Sequence, residues 1–485
     1  MSDSFLESSA LPEPALAARR GWLQLAPPLL VLLSTACGLA ACFFYVFNHD
    51  VSYLLHAAGR LLRGETLYVD VMEINPPLIV WLNLPIAWLA QLTGVGGEQV
   101  FRLCVLALGL LSLAWSAQLL RGALSPGHWW SWLAAGSYVA LLLPGYEFGQ
   151  REHIVFLCIL PYLAEAARRC GGQAQSRTVQ AGVAALATLG LALKPHFLLV
   201  PMLVEAFAFR RERRLAVGCL VALALLLAYL AAAWLFAPHY LEMLRVLAIG
   251  YWGYTEGWMV FLDVPYFYVT CILVFLALLV RGFDSPLKTV LGLAALGFVL
   301  AALVQHKGFS YHWIAAVSLA WMLFGQAAAA AMSHRHAAVI PAIMLAVSLL
   351  ALAGAVRHGG TVNPYPAQFG PVIRELGGGP VIIFSTCQMN FPLVTEPGIG
   401  TSTRIPTMSF VLAMQRSGQQ NAIRWVHATF AEDFYRKPPR LLLLETDEQG
   451  RPIFDFINYF SADVPELLEY RVVHRLPRFQ VLSRR

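Results

Sequence analysis

Long apolar runs separated by short polar turns make up most of the chain. The runs cover 22–47, 98–120, 129–145, 154–167, 215–236, 259–280, 286–304, 313–332 and 337–356. A run of about 20 apolar residues is long enough to cross a bilayer as a helix. The run 178–209 is too long for one comfortable helix and is interrupted at Lys194-Pro195, which predicts a hairpin of two spans. The pattern therefore predicts an α-helical polytopic membrane protein.

Basic clusters between the runs predict the orientation of the spans. By the positive-inside rule these clusters belong in the cytoplasm. They agree with one another only if the segment 77–92, which is short and contains Pro85, is re-entrant or interfacial. The count is then about 11 spans, with a cytoplasmic tail over 1–21 and a transmembrane domain over 22–356. The clusters are Arg19-Arg20, Arg121, Arg168-Arg169 and 210–214.

The segment between the first span and residue 77 is expected to form the first outer loop. Within it, residues 51–63 place Leu54, Leu55 and Ala58 on one helical face and Arg60 on another. Such a short amphipathic helix is suited to lie in the plane of the membrane surface.

The last part of the chain, 357–485, has a different pattern. Short apolar runs at 381–384 and 441–444 are typical of buried strands, and they alternate with helix-like polar stretches such as 408–418. This pattern predicts a small extracytoplasmic α/β domain at the C-terminal end.

Composition supports an integral membrane protein over a soluble enzyme. The 485 residues are 58% hydrophobic and 13% charged, with a mean hydropathy of +0.62, whereas a soluble domain carries about 25% charged residues. The net charge of +6 comes from clusters that orient helices, and no nucleic-acid-binding motif accompanies it.

The eight cysteines include no CxxC pair, so neither a disulfide framework nor structural zinc is expected. The Leu39–Cys42 stretch is similar to a lipoprotein cleavage box, but the apolar run continues past it, which favours an uncleaved span.

The outer turns carry acids, histidines and lysines, whereas the inner turns carry mainly arginines. An acid at the mouth of a membrane helix is costly to place there, so Asp50 is the leading functional candidate. The asymmetry predicts an outward-facing pocket with acids for proton transfer and cations for an anionic ligand. The outer motifs are His49-Asp50 with Tyr53, Arg151-Glu152-His153, Lys194-Pro195-His196, and His306-Lys307 with Tyr311-His312.

Each motif also has a structural interpretation. A Lys or His at a helix end commonly extends its charged group towards the interface. Lys194 before a proline is also expected at a hairpin turn, and Arg151-Glu152 is also explained as a local ion pair. The Trp and Tyr residues of 237–258 are typical of an interfacial aromatic belt.

The order of these features resembles the lipid-carrier-dependent membrane glycosyltransferases of the GT-C superfamily, in particular the protein-mannosyltransferase and aminoarabinose-transferase-like families. The resemblance rests on Asp50-Val51-Ser52-Tyr53 after the first span, on 61–70 after the in-plane helix, and on Asn75-Pro76-Pro77-Leu78 before the next apolar helix. It covers roughly residues 20–200 best. Val51 departs from the pattern because a second acid is usual there, and Asn75 departs because a lysine is usual.

The resemblance implies sugar transfer from a polyprenyl-phosphate donor to a glycan, lipid or protein acceptor on the outer side. Asp50 is then the general base of an inverting displacement, and a bacterial inner membrane with a periplasmic C-terminal domain is the expected location. An acid of the second outer loop, Glu147 or Glu152, is expected to take part, with Glu152 as the candidate ligand of a divalent metal. The expected substrate-binding residues are His49, Tyr53, Arg151, Glu152, Lys194, His196, His306, Lys307, Tyr311 and His312.

Two other classes compete with the enzyme. A transporter or flippase for an anionic lipid-linked substrate would have charges within its spans and discontinuous helices near the midplane. A non-catalytic membrane scaffold would use its tail domain to bind a partner. The clustering of acids at one rim favours the glycosyltransferase.

Overall fold

The computed structural model describes residues 13–173, 175–252, 257, 259–280, 284–332, 336–358, 365–386 and 390–484. Helices dominate up to residue 358. They are α1 Glu13–Ala41, α2 His49–Leu61, α3 Leu78–Thr93, α4 Gly97–Leu120, α5 Pro126–Leu141, α6 Arg151–Cys170, α7 Arg177–Leu191, α8 Leu199–Glu212, α9 Val217–Phe236, α10 Tyr240–Trp252, α11 Pro265–Leu279, α12 Pro286–Leu303, α13 Ile314–Ala331 and α14 Val339–His358. Short 3-10 turns at Gly145–Glu147, Pro195–Leu198 and Ser310–Trp313 precede α6, α8 and α13.

Five helical segments among the described residues are long and apolar enough to cross a membrane. They are Gly97–Leu120, Val217–Phe236, Pro286–Leu303, Ser310–Ala331 and Val339–Arg357. Leu25–Ala41, Leu78–Thr93 and Pro265–Leu279 are shorter apolar helices. The predicted class of α-helical polytopic membrane protein is confirmed, and the total of 11 spans stays a prediction.

Helix α6 is the central helix of the bundle. Almost all of its 20 residues are buried, and it packs against α4, α7, α8, α12 and α13. A helix of this length rises about 30 Å. Its first turn holds Glu152 and its last turn holds Arg169, so these residues mark two ends of the bundle, called here the Asp50 end and the Arg169 end.

The predicted hairpin at Lys194 is present. Lys194 lies between α7 and α8 and forms an ion pair with Glu152 in the first turn of α6. Glu212, the last residue of α8, forms an ion pair with Arg169 in the last turn of α6. The chain therefore reverses at Lys194 and returns to the Arg169 end.

Helix α3 does not carry the chain to the other end of the bundle. Just before α3, Asn75 accepts a hydrogen bond from Arg151 at the Asp50 end. Just after it, Gly97 lies against Leu55 of α2. Both flanks of α3 thus lie at the same end, as expected for a segment that is re-entrant or interfacial.

The Arg169 end holds a cluster of acids among the arginines that were expected on the inner side. Arg169 is almost fully buried and forms ion pairs with Glu165 at 3.3 Å, Glu205 at 2.8 Å and Glu212 at 2.9 Å. Glu165 lies one turn before Arg169 on α6, whereas Glu205 and Glu212 lie on α8, 36 and 43 residues later in the chain. Packing of α6 against α8 brings them together around one guanidinium.

The C-terminal domain is the predicted α/β domain. Its sheet has the order β2-β1-β3-β5-β4, in which β2, β1 and β3 are parallel and β5 and β4 are antiparallel. Alternate residues of β1 and β3 enter two separate apolar clusters on the two faces. The elements are α15 Tyr365–Glu375, β1 Gly379–Phe384, β2 Ile399–Thr401, α16 Met408–Arg416, α17 Gln420–Arg436, β3 Leu441–Glu445, α18 Phe456–Phe460, β4 Arg471–Leu476 and β5 Phe479–Ser483.

This domain contacts the first outer loop. The Phe391 ring lies 5.1 Å from the ring of Tyr53 and 5.3 Å from that of His56, measured between centroids. Arg404 donates a hydrogen bond to the Val69 carbonyl at 3.3 Å. The domain therefore packs on α2 one helical turn beyond Asp50.

The segment 237–258, expected as an aromatic outer loop, mostly forms α10. Met243 and Leu247 on this helix belong to an apolar cluster of the C-terminal domain. The apolar face of α10 packs on α16 and α17, which explains why helix replaces loop here. Residues 253–256 and 258 of the expected belt lie outside the described residues.

We predict that Arg169→Met strongly destabilises the bundle. The change leaves Glu165, Glu205 and Glu212 without their shared cation, and breaking a buried ion pair by removing one partner costs about 3 kcal/mol. The melting temperature of the detergent-solubilised protein should fall by several degrees. Arg210→Met, at an exposed arginine of α8, is the matched control. Equal melting of Arg169→Met and wild type would contradict the proposed role of this network.

Candidate functional site

Asp50 lies in the first turn of α2. Asn48 caps this helix because its side-chain oxygen accepts hydrogen bonds from the backbone N–H groups of Asp50 at 2.9 Å and Val51 at 3.3 Å. A carboxylate in the first turn is also stabilised by the helix dipole. The local sequence therefore fixes both the start of α2 and the place of its acid.

The Asp50 carboxylate is surrounded by donors and cations but still reaches solvent. Gln150 Nε2 donates to Oδ2 at 3.1 Å, Arg151 Nη2 lies 3.5 Å from the same oxygen, and His49 Nε2 lies 3.5 Å from Oδ1. The side chain is 26% exposed. Burial alone would raise the pKa of Asp50, but His49, Arg151, the Gln150 hydrogen bond and Lys194 outweigh it, so the pKa lies below its usual value. Asp50 is therefore ionised at neutral pH.

Arg151 connects Asp50 to the residue that departs from the family pattern. Its guanidinium donates to Asn75 Oδ1, and Asn75 Nδ2 donates to Glu73 Oε1 at 2.6 Å. A hydrogen-bonded chain thus runs from Glu73 through Asn75 and Arg151 to Asp50. The Arg151 guanidinium therefore supplies a positive charge next to Asn75, the residue that stands where a lysine is usual.

The strongest ion pair of the site joins Lys194 to Glu152. Lys194 Nζ lies 2.6 Å from Glu152 Oε1, and the two residues are 5% and 0% exposed. Lys194 also contacts Gln305 Oε1 at 3.4 Å. Burial lowers the pKa of Lys194 to about 8, although Glu152 acts in the opposite direction. The pair fixes the α7–α8 hairpin to the start of α6.

Lys307 and two histidines extend the positively charged part of the pocket. Burial, with smaller contributions from Lys194 and Arg151, lowers the pKa of Lys307 to about 6. Burial together with the three cations lowers the pKa of His196 to about 3. His312 is buried, and within the described ranges neither of its ring nitrogens has a hydrogen-bond partner. The neutral His312 ring offers one N–H donor towards this cluster.

Glu147 is a second carboxylate in the Asp50 network. Its Oε2 accepts from Asn48 Nδ2 at 2.9 Å and its Oε1 from Ser310 Oγ at 3.2 Å. Burial, followed by the charge of Asp50, raises the pKa of Glu147 to about 7. The two acids therefore differ strongly in proton affinity, as acid and base partners in active sites do. The sequence left Glu147 and Glu152 as alternatives for the second outer acid, and Glu147 is the one that shares hydrogen-bond partners with Asp50.

The surroundings of Glu152 do not fit a divalent metal. One of its oxygens is bound to Lys194. In the part of the chain that the structure describes, no group of three or more His, Cys, Asp or Glu side chains has the arrangement of a metal site. A metal needs several anionic or neutral oxygen ligands, whereas a lysine is the nearest partner here. We therefore derive no step through a metal.

Tyr53 and His49 make contacts within the protein. The Tyr53 hydroxyl donates to the Met72 carbonyl. His49 Nδ1 is 2.7 Å from the Tyr146 hydroxyl, so its ring is tied to the loop before α6. A substrate-binding role for either residue stays a prediction.

Tyr311 and His306 lie on the segment that carries Lys307. The Tyr311 ring centroid is 5.5 Å from Lys194 Nζ, close enough for a cation–π contact. His306 adopts a left-handed backbone conformation, with φ of 49°, in the turn that follows α12. Tyr311 thus lies next to Lys194. His306 is near the same cluster because it directly precedes Lys307 in the chain.

An apolar groove of about 500 Å³ opens beside the charged pocket. Pro195 and Pro76, which directly follow Lys194 and Asn75, line it together with side chains of α9. Helix α9 has no buried residue, so its groove-facing side is open to apolar material. The remaining lining residues are Leu191, Ala192, Leu198, Leu226, Tyr229, Leu230, Ala233, Trp234, Ala237, Pro238, Tyr240 and Leu241.

Fold and site together define a helical membrane protein with a cluster of buried charged side chains at one end of its bundle, beside an apolar groove. No protein-family model and no curated protein matches the chain. Among solved structures, the chain is similar to the cryo-EM structure of the arabinofuranosyltransferase AftD from Mycobacteria, with 15% identity and a TM-score of 0.44. The similarity covers 99% of this chain and 40% of that one, so the chain spans well under half the length of that protein.

We predict that Lys194 and Glu152 are energetically coupled. Lys194→Met leaves a fully buried carboxylate unpaired and should cost about 3 kcal/mol of stability. The double variant Lys194→Met/Glu152→Gln removes both charges and should recover most of the lost melting temperature. Lys437→Met, at an exposed lysine of the C-terminal domain, is the control. Additive losses in the double variant would show that the pair is not coupled.

Proposed function

We propose that the chain is a membrane glycosyltransferase that moves a sugar from a polyprenyl-phosphate donor to an acceptor on the outer side of the membrane. One observation carries the proposal. The ionised, partly exposed carboxylate of Asp50 lies near two cations, Arg151 and Lys194, and near Lys307, a buried amine that a bound phosphate would protonate. This is the pairing that transfer from a phosphate leaving group to a hydroxyl requires.

Asp50 acts as the general base. As the acceptor oxygen attacks the anomeric carbon of the donor, Asp50 takes the hydroxyl proton. The bond between the anomeric carbon and the phosphate oxygen breaks in the same step, and the single displacement inverts the anomeric configuration. The low pKa of Asp50 keeps the carboxylate available as a base at neutral pH.

The buried cations stabilise the departing phosphate. Its charge rises from one negative charge towards two as the glycosidic bond breaks. Cations held in a pocket poor in water act on that charge more strongly than cations in solution. Arg151 contacts Asp50 directly, and Lys194 and Lys307 are near Arg151. The proposed base and the proposed phosphate site are therefore next to each other.

The apolar groove is the proposed site of the prenyl chain. Its lining residues Pro195 and Pro76 are the sequence neighbours of Lys194 and Asn75. A ligand with its tail in the groove would therefore have its head group near the cations. A mostly apolar groove with a few polar groups at one end fits an amphipathic lipid.

The location follows from the charge pattern of the turns. We place the N-terminus in the cytoplasm, the Asp50 end on the outer side and the C-terminal domain in the periplasm of a bacterial inner membrane. The contact between this domain and α2 supports a position beside the proposed acceptor side. A glycan, lipid or protein acceptor would approach from there.

A flippase for an anionic lipid-linked substrate is the second candidate. Buried ion pairs lie at both ends of α6, around Glu152 and around Arg169, as a protein that opens alternately to two sides would need. Incubation of the purified protein with radiolabelled polyprenyl-phosphate sugars and an acceptor extract separates the two. Transfer of label to an acceptor supports the enzyme, whereas label that only crosses a vesicle bilayer supports the flippase.

We predict that Asp50→Asn abolishes transfer while the protein stays folded and inserted. Loss of a general base lowers kcat by about 10²–10⁴-fold, and the isosteric amide preserves the packing. Asp70→Asn, in the same outer loop, is the matched control and should keep wild-type activity. Full transfer activity in Asp50→Asn would refute the assignment of the base.

We also predict that the KM for the donor rises with pH. Lys307 has a pKa of about 6 in the free protein, and a bound phosphate raises it, so binding takes up a proton and weakens as pH increases above about 6. Glu147, with a pKa of about 7, loses its proton in the same range and adds repulsion. Each of these two groups should contribute at most about tenfold per pH unit. Lys307→Met should flatten this dependence, and an unchanged slope in that variant would contradict it.

A further inference from the structure

Asn48 makes more hydrogen bonds than capping of a helix requires. The residue is 1% exposed. Its Oδ1 accepts from the backbone N–H groups of Asp50 and Val51 and from Gln150 Nε2 at 3.0 Å. Its Nδ2 donates to Glu147 Oε2 at 2.9 Å. One buried amide thus joins the start of α2 to the segment that precedes α6.

Gln150 completes this connection. It is the residue before α6, yet its side chain makes no capping bond to that helix. Its Nε2 instead donates to both Asn48 Oδ1 at 3.0 Å and Asp50 Oδ2 at 3.1 Å. Asn48 therefore holds the backbone of Asp50, while Gln150 at the start of α6 holds its carboxylate.

We propose that Asn48 is a positioning residue for Asp50, which fixes the carboxylate at the mouth of the pocket through Gln150 and Glu147. The inference rests on the proposed role of Asp50 as base. Asn48 acts through these neighbours and has no direct part in the reaction.

Capping alone does not need an amide here. Asp caps helices as well as Asn, but an aspartate carboxylate has no hydrogen to donate to Glu147 while its oxygen accepts from α2 and Gln150. The donor Nδ2 is the part of Asn48 that the cap does not use. A substitution that keeps the cap and removes this donor separates the two roles.

Asn48→Asp is that substitution. The new carboxylate keeps the hydrogen bonds to the backbone of α2 and to Gln150. It has no hydrogen to donate to Glu147, and it adds a negative charge beside Asp50. His49, Arg151 and Lys194 are the cations that act on Asp50, and they would be shared with an additional negative charge. Repulsion among three carboxylates raises the pKa values of the group.

The first test is a kinetic cycle in detergent or nanodiscs, with a polyprenyl-phosphate sugar as donor. We expect Asn48→Asp to stay folded but to melt several degrees below the wild type, because it buries a carboxylate beside two others. The kcat should fall at least tenfold, and by a larger factor than the donor KM rises. The acid limb of its pH profile should move to higher pH. The double variant Asn48→Asp/Glu147→Gln restores this hydrogen bond with donor and acceptor exchanged, because the new amide at position 147 can donate to the new carboxylate at position 48. Its kcat should therefore be close to that of the single variant Glu147→Gln. Asn458→Asp, an exposed asparagine that also donates to a carboxylate, is the matched control.

The second test does not depend on activity. Asp50 is labelled with glycine ethyl ester and a carbodiimide across a pH series, and the modified peptide is quantified by mass spectrometry. We expect the Asp50 labelling profile to shift in Asn48→Asp and to return towards the wild type in the double variant. Wild-type kcat and labelling in Asn48→Asp would overturn the proposal and leave Asn48 as a cap alone. Absence of transfer by the wild type with every polyprenyl-phosphate donor, or full activity of Asp50→Asn, would refute the proposed function. The labelling of Asp50 would still show in that case whether Asn48 positions its carboxylate.

Discussion

Lys194 and Glu152 form an ion pair at 2.6 Å in which both side chains are almost fully buried. The arrangement of the Asp50 end depends on this contact. A buried charge is tolerated when an opposite charge and further hydrogen bonds compensate its desolvation. The α7–α8 turn supplies that compensation by packing Lys194 against the first turn of α6. Arg151 precedes Glu152 on α6, so the same contact orients the guanidinium that reaches Asn75 and Asp50.

Helix α6 is organised by charge at both ends. Glu152 in its first turn and Arg169 in its last turn each complement the helix dipole. Each then attracts opposite charges from other helices, Lys194 at one end and Glu205 and Glu212 at the other. The two ends differ in arrangement, because Glu152 faces one lysine at the Asp50 end, whereas three carboxylates surround one guanidinium at the Arg169 end.

Much of this architecture was predictable because its signals are local. Proline after Lys194 marked the hairpin, the charge of the turns excluded 77–92 as a crossing, and the apolar runs at 381–384 and 441–444 marked β1 and β3. The outer motifs were identified one by one, and the structure brings Asp50, Arg151, Lys194 and Lys307 into one pocket. Other features have no local signal. The glutamates around Arg169 lie on different helices, and α10 is a helix because the C-terminal domain covers its apolar face.

The sequence by itself determined the membrane class, the main turns and the candidate charges, since hydropathy and the cost of placing charge in a bilayer act along the chain. Only the tertiary structure decided which charges are partners. It assigned Glu152 to Lys194, placed Glu147 beside Asp50 through the buried amide of Asn48, and gave the pocket an apolar groove along α9. The physical reason is that hydrogen bonds and ion pairs depend on distances of a few ångströms between side chains far apart in sequence, and these distances are set by helix packing.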